Sequence, residues 1–449
     1  MGRPTVGLVL SVWLLFVTAK DALANPRILL IGVDAIPYEV AAKLTDPTLG
    51  EKALFKGMRG PVAVINTFPT GSYVAWTGLL RPLGSGNALG YEACHFNLSD
   101  RQLRGCFSVI TVPAPWKDVF DWYLKGISRK AIAYGWPKKY SLSEIDRGFA
   151  AFLDSDKAFF SMYIVSTDGL GHRYGPDGLA DFLKELDRRL DALRQSHSDR
   201  PFHTVIVSDH SMPGGKPLKN TWPQIRTVMK KAGFRLRNSL KRASDVTFVR
   251  FGLLSSFVVY TWKGREAEIA SLVASVPGVE VCVTRHRQGW KVISARGHAL
   301  IGRKAGPTEE LWSYQMLTGD PLGFESILTR LRERAKNINQ HWFPDSWWFE
   351  ATKHNFYPDA LYRLAESFAL VDNPASLICS NSPGYMFGSL LTERVAIPTI
   401  GRLKWTHGAL HKGASLGFLM TDIPDWPITD AVRFDRALEP LVPLTQGAR

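Results

Sequence analysis

The sequence predicts a layered α/β domain, a central and mostly parallel sheet flanked by helices, with an inserted subdomain. Two observations carry that expectation. Continuous apolar runs end in carboxylates: Ile28-Leu29-Leu30-Ile31-Gly32-Val33 runs into Asp34, Met162-Tyr163-Ile164-Val165 precedes Asp168, and Val205-Ile206-Val207 precedes Asp209 and His210. Such runs suit the buried middle of a parallel or mixed sheet, whose functional groups collect at the carboxyl ends of the strands. Between the second and third runs, Leu179, Phe182, Leu183, Leu186, Leu190 and Leu193 recur at helical spacing with charged residues between them. This strand, helix, strand unit favours a layered core over an all-helical or all-β domain.

In chain order, Arg3 precedes the apolar run Val6 to Val17, and Ala22-Leu23-Ala24 has the small-x-small form of a signal-peptidase site. The expectation is a signal peptide over residues 1–24, a mature start near Asn25, and export to the periplasm or medium. The run is shorter than the roughly 20 residues of a membrane span, and no later segment reaches that apolar length. Contact with a membrane surface stays open. Residues 25–235 read as the first part of the catalytic core. Cys94, Cys106, Cys282 and Cys379 are too few for a disulfide scaffold, although an oxidising compartment permits one or two bonds. Cys94 and Cys106, with a short loop between them, are the easier pair.

Residues 236–370 read as an inserted or cap region. Ala267 to Val276 has helical patterning, Val279 to Thr284 and Trp290 to Ser294 read as short strands, and Ala299-Leu300-Ile301 as a third. Ile327 to Ala335 is a charged helical segment. Trp342, Phe343, Trp347, Trp348 and Phe349 form an aromatic run with two readings, cover for an organic leaving group or core packing. Pro358 can open a helix continuing through Leu361, Leu364, Ala365 and Phe368. Residues 371–449 return to the core, with strands near Leu377 and from Leu416 to Met420.

At 449 residues and 45% hydrophobic the chain can bury a large core, which excludes a fibrous, low-complexity or wholly disordered protein. The formal charge of +14 favours anionic partners without identifying one.

The chemistry lies at the strand ends. Asp34, Asp168, His172, Asp209, His210 and His407 supply three carboxylates and three imidazoles, more ligands than one four-coordinate zinc needs. Each alone fits an ordinary cap or a hydrogen-bonded core residue. Asp168-Gly169-Leu170-Gly171-His172 together with Asp209-His210, both after predicted strands, points to divalent cations, and the glycines let the backbone turn closely.

The ordered set resembles the alkaline phosphatase superfamily, in particular its type I phosphodiesterase and nucleotide pyrophosphatase branch. The resemblance covers the strand to Asp34, Asn66-Thr67-Phe68-Pro69 followed by Thr77-Gly78-Leu79, Asp168 to Pro176, Val207 to Met212, and Thr406-His407-Gly408. It implies two divalent ions, taken as Zn2+: one held by Asp168, His172 and His407, the other by Asp34, Asp209 and His210. Thr67 beside the second ion is the implied nucleophile and metal contact, forming a phosphothreonine intermediate in phosphodiester hydrolysis.

Departures from the pattern leave alternatives. Thr70-Gly71-Ser72 stands where the family carries a polar pair, with one extra residue before Thr77, so Ser72 is the alternative nucleophile. Asn87 is the candidate for holding a phosphate oxygen and Asn66 its alternative. Ser211 replaces a glycine, and His411 competes with His407. Arg81, Arg173 and Lys412 are candidate phosphate donors. The expected partner is a small-molecule phosphate ester or phosphodiester, and no specific nucleic-acid motif is found. A phosphomonoesterase or a sulfatase of the same superfamily is the nearest alternative, although the Cys/Ser-x-Pro-x-Arg sulfatase motif is missing. A noncatalytic anionic-ligand or nucleic-acid-binding protein is the alternative from another class.

Overall fold

The computed structural model describes residues 26–106, 114–125, 134–250, 252, 254–388 and 403–445. The expected signal peptide and Asn25 lie outside the described residues. Among the described residues the first sheet contains seven strands: β1 (Arg27–Val33), β2 (Arg59–Ile65), β3 (Trp122–Tyr123), β4 (Phe159–Ile164), β5 (Phe202–Ser208), β6 (Leu416–Thr421) and β7 (Ala431–Arg433). Their spatial order is β7-β2-β6-β5-β1-β4-β3. All neighbours are parallel except β6, which runs antiparallel to β2 and to β5. The expected α/β class is therefore what the chain adopts.

β1 is central because it is apolar on both faces. Ile28 and Leu30 enter one buried cluster, and Leu29, Ile31 and Val33 enter another on the opposite face. Four helices matter for the site: α1 (Tyr38–Leu44), α2 (Ser72–Leu79), α3 (Pro137–Leu153) and α4 (Ser166–Ser196). The six apolar residues expected on one helical face, Leu179 to Leu193, are all buried in the second cluster. α4 starts earlier than that pattern suggested and breaks at Gly175, which has φ 62° and ψ −153° and is followed by Pro176. A Cβ at Gly175 would lie 2.4 Å from the Trp405 ring, so this position requires glycine for both conformation and space.

A second sheet, of nine strands among the described residues, fills most of residues 235–381. Its pairing is antiparallel apart from Arg235–Leu236 beside Asp245–Phe248. Two expectations change here. Leu377–Asn381 pairs on both sides within this second sheet, so the chain returns to the first sheet at Leu416 rather than near Leu377. Gly297–Ala305 and Glu310–Gly319 form a long hairpin whose outer residues, including Arg303 and Lys304, face solvent. Its apolar signal is short because only one face is covered.

The aromatic run is partly core. Phe343 and Trp348 are buried, and Trp348 Nε1 donates to Trp312 O at 3.1 Å. Trp342 and Trp347 are half-buried and carry Lys304 and Arg334 over their rings. One apolar cluster joins Ile28 and Trp76 of the first sheet layer to Tyr260, Trp312 and Phe343 of the second, so the two sheets share a core. Cys94 and Cys106 form a disulfide, while Cys282 and Cys379 are buried free thiols. Among the described residues no helix is long and apolar enough to cross a membrane.

Candidate active site

Asp34 follows β1, Asp209 and His210 follow β5, and Asp168 and His172 lie one turn apart at the start of α4, just after β4. His407 comes from the loop that leads into β6. Parallel strands therefore deliver five of the six expected ligands to one carboxyl edge. The sixth is braced from the other sheet, where Ser255 N donates to His407 O at 2.6 Å, and a Cβ at Gly408 (φ 102°) would sit 2.9 Å from Ser256 Oγ.

The imidazoles share one orientation. His172 Nδ1 lies 3.1 Å from Trp405 O, His210 Nδ1 3.1 Å from Ser211 O, and His407 Nδ1 2.9 Å from Thr70 O. A carbonyl can only accept, so each Nδ1 carries the proton and each Nε2 presents a lone pair. Those lone pairs face carboxylates. His210 Nε2 is 3.4 Å from both Asp34 Oδ1 and Asp209 Oδ2, His172 Nε2 is 3.4 Å from Asp168 Oδ1, and His407 Nε2 is 3.6 Å from the same oxygen.

Asp209 and Asp168 are each pinned at one oxygen, and Asp34 accepts at both, its Oδ1 from Ser72 Oγ at 3.3 Å. Asp209 Oδ1 accepts from Ala35 N at 3.0 Å, Asp168 Oδ2 from the Tyr134 hydroxyl at 2.5 Å, and Asp34 Oδ2 from the Tyr163 hydroxyl. Among the described residues, Asp168 Oδ1 and Asp209 Oδ2 are buried and receive no hydrogen bond. Two buried acceptors facing imidazole lone pairs lack a positive partner, which is what a cation supplies. The ligand atoms form two groups, Asp34, Asp209 and His210, and Asp168, His210 and His407, each within 4.8 Å. His210 belongs to both. His172, assigned to one site by resemblance, reaches it through Asp168 Oδ1.

The electrostatics agree with this donor set. Burial, then the neighbouring carboxylates, drives Asp34 well above the ordinary carboxylate range, and burial does the same to Asp209. Burial lowers His407 to about 4 and, with the neighbouring His407, pulls His210 well below its usual value. His210 and His407 are thus neutral donors at pH 7, and Asp34 and Asp209 ionise fully only beside a cation.

The expected catalytic residues divide. Thr67 is fully buried: its Oγ1 donates to Pro69 O at 3.1 Å, its N–H to Asn66 Oδ1 at 2.7 Å, and its methyl faces Gly78, where a Cβ would be 2.6 Å away. Ser72, at the first position of α2, is half-buried, with Oγ 3.3 Å from Asp34 Oδ1 and 3.4 Å from His210 Nε2. Asn87 lies exposed, its Oδ1 accepting from Arg81 at 3.2 Å, so the structure does not bring it to the cluster. Asn66 is buried and donates to Asp209 O, which ties the β2 loop to the β5 loop. His411 stacks on Phe356 instead of joining the metal-ligand groups. Arg173 is engaged with Gly135 O at 2.6 Å. Ser211 Oγ donates to Leu416 O at 2.6 Å, an anchor to β6 that glycine could not provide.

Sequence reasoning missed four supporting residues. Tyr134 and Tyr163 orient carboxylates. Glu144, on α3, accepts from Val165 N and Ser166 N where α4 begins. Arg363 is fully buried and donates to Asn66 O, Thr67 O, Pro358 O, Leu410 O and Ser415 Oγ, joining the β2 loop to the loop before β6.

Residues 51–276 match the family described as type I phosphodiesterase / nucleotide pyrophosphatase. The chain belongs to that family. The type I phosphodiesterase match contains Thr67, Ser72, Asp168, His172, Asp209 and His210, while Asp34 and His407 lie outside it and join the site through the fold. Family membership and the paired clusters together give the chain a candidate divalent-metal site. The chain is 30% identical over 74 residues to mouse ectonucleotide pyrophosphatase/phosphodiesterase family member 7, and 28% identical over 76 residues to the rat protein. These alignments cover 15% and 16% of this chain and only 17% of each relative. Among solved structures, murine ectonucleotide pyrophosphatase/phosphodiesterase 5 superposes with a TM-score of 0.49 at 12% identity, covering 93% of this chain and 94% of that one. Phosphonoacetate hydrolase from Sinorhizobium meliloti 1021, in complex with phosphonoformate, gives 0.48 at 12% identity, covering 93% and 95%.

Proposed function

We propose that the protein is a phosphodiesterase dependent on two divalent cations, most simply Zn2+, working through a covalent phosphoenzyme. The observation that carries this reading is the pair of ligand groups meeting at His210, each containing a buried carboxylate oxygen with no hydrogen-bond donor among the described residues. Bound cations would supply Lewis acidity at the phosphoryl oxygens and neutralise developing charge. The chain's own residues orient that chemistry. Backbone carbonyls hold three Nε2 lone pairs inward, and Tyr134 and Tyr163 fix two carboxylates. At the start of α2, Val74 N and Ala75 N donate to Gly71 O, and the Ser72 and Tyr73 amides, which precede the first intrahelical bonds, are the donors for a phosphate oxygen.

The acceptor hydroxyl belongs to the segment that runs from the end of β2 into the first turn of α2, where the family resemblance selects Thr67. Export is part of the proposal, supported by the Cys94–Cys106 bond, which an oxidising compartment sustains. Purified mature protein, saturated with zinc, tests the reading against matched phosphodiester, phosphomonoester and sulfate-ester substrates. Diester turnover above the other two supports it. Sulfate-ester turnover alone, or none with metal bound, would refute it.

A further inference from the structure

We propose that Ser72, not Thr67, is the hydroxyl that takes up the phosphoryl group; the inference rests on the phosphate-ester reading above. Three features separate the two residues. The Thr67 side chain has no solvent exposure, its methyl is wedged on Gly78, and its hydroxyl is spent inside its own turn on Pro69 O. Ser72 is half-buried, so a substrate can approach it. Its Oγ lies within 3.4 Å of a ligand atom from each of Asp34 and His210, at the junction of the two ligand groups.

The placement of Ser72 is built into the fold. Trp76, one turn along α2, packs edge-on against Tyr163 with 5.2 Å between centroids and lies over Gly32, where a Cβ would come within 2.9 Å of it. Tyr163 in turn donates to Asp34. The helix that carries Ser72 and the carboxylate that Ser72 touches are therefore located by the same aromatic contact. At this helix start Val74 N and Ala75 N donate to Gly71 O at 3.0 and 2.9 Å, so the loop carbonyl fixes the turn from which Ser72 projects.

In the first displacement the Oγ–P bond forms as the bond from phosphorus to the departing alcohol oxygen breaks. The electron pair leaves with that oxygen, which gains, through water, the proton lost from Ser72. In the second, a water oxygen bonds to phosphorus, the P–Oγ bond breaks, and one water proton restores the hydroxyl while the other leaves with the product or to solvent.

Acid quenching of the zinc-loaded full chain during turnover of bis(4-nitrophenyl) phosphate, followed by peptide mass spectrometry, tests the assignment. The expected adduct is on Ser72. Ser72→Ala is expected to lose the adduct and to slow turnover by about a thousandfold or more while keeping the thermal midpoint. Ser72→Thr should regain part of the turnover with the adduct still at position 72, and Thr67→Val should remain labelled on Ser72. An adduct on Thr67, or Ser72→Ala retaining more than about a tenth of turnover, overturns the inference and leaves the hydrolase reading intact. Failure of the wild-type protein to turn over any phosphate ester overturns both.

Discussion

The rings of His210 and His407 lie face to face, 3.9 Å between centroids and 9° between planes. Two protonated imidazoles held this way would repel, and burial favours the neutral form of both rings. The two Nε2 atoms nevertheless address different carboxylates, Asp34 and Asp209 for His210 and Asp168 for His407. The stacked pair is the wall between the two ligand groups, and His210 is the side chain common to both.

Replacing His210 is therefore expected to damage both cation sites. His210→Ala should bind substantially less than one zinc per chain under conditions where His172→Ala retains one, measured by elemental analysis after gel filtration. Equal stoichiometry in the two variants would show that His210 serves only one group.

The two tyrosines are expected to act on affinity through the carboxylates they hold. Tyr163→Phe and Tyr134→Phe should each weaken cation binding by roughly 10 to 100-fold. Competition with a fluorescent chelator measures the loss. An affinity unchanged in both variants would mean that Asp34 and Asp168 need no orienting partner.

Glu144 gives a pH signature. Burial pushes its carboxyl from 4.5 up to about 7. A raised folded-state value means that its contribution to stability is fully present below 4.5 and is lost as pH rises through about 7. Glu144→Gln does not pay this ionisation cost, so its stability relative to wild type should rise between pH 4.5 and 8, by up to about 3 kcal/mol. Urea unfolding at several pH values, with cations chelated, measures the difference. A flat difference would contradict the assigned burial.

Arg363 holds five acceptors on four segments with one planar group. A lysine offers three donors from a single point and cannot span them. Arg363→Lys should cost roughly 3 kcal/mol or more in urea unfolding, because buried carbonyls lose their donors. A cost below about 1 kcal/mol would show that water replaces the guanidinium.

Much of this was legible in the sequence for a simple reason. Buried parallel strands read as unbroken apolar runs, and each ligand stands just after such a run or beside a glycine, as with Asp34, Asp168 and Asp209. The residues that support those ligands carry no such mark. Tyr163 sits inside an apolar run and looks like packing, and Arg363 lies on a helix like any surface arginine, although it is fully buried. Their roles arise from contacts across long separations, such as Tyr163 with Asp34 and Arg363 with Thr67. Thr67 and Ser72 show the same limit, since motif spacing favoured the first while the local path of the loop turns the second toward the cluster. The second sheet was under-read because its hairpin is polar on one face and its strand Leu377–Asn381 is central to that sheet, not to the first.

The central claim, two cation sites sharing His210, is tested most directly by titrating the chelated protein with Zn2+ and counting bound metal per chain while following diester turnover. The account predicts two equivalents bound, with turnover appearing only as the second site fills. Saturation with less than one equivalent, or full turnover in the metal-free protein, would contradict it.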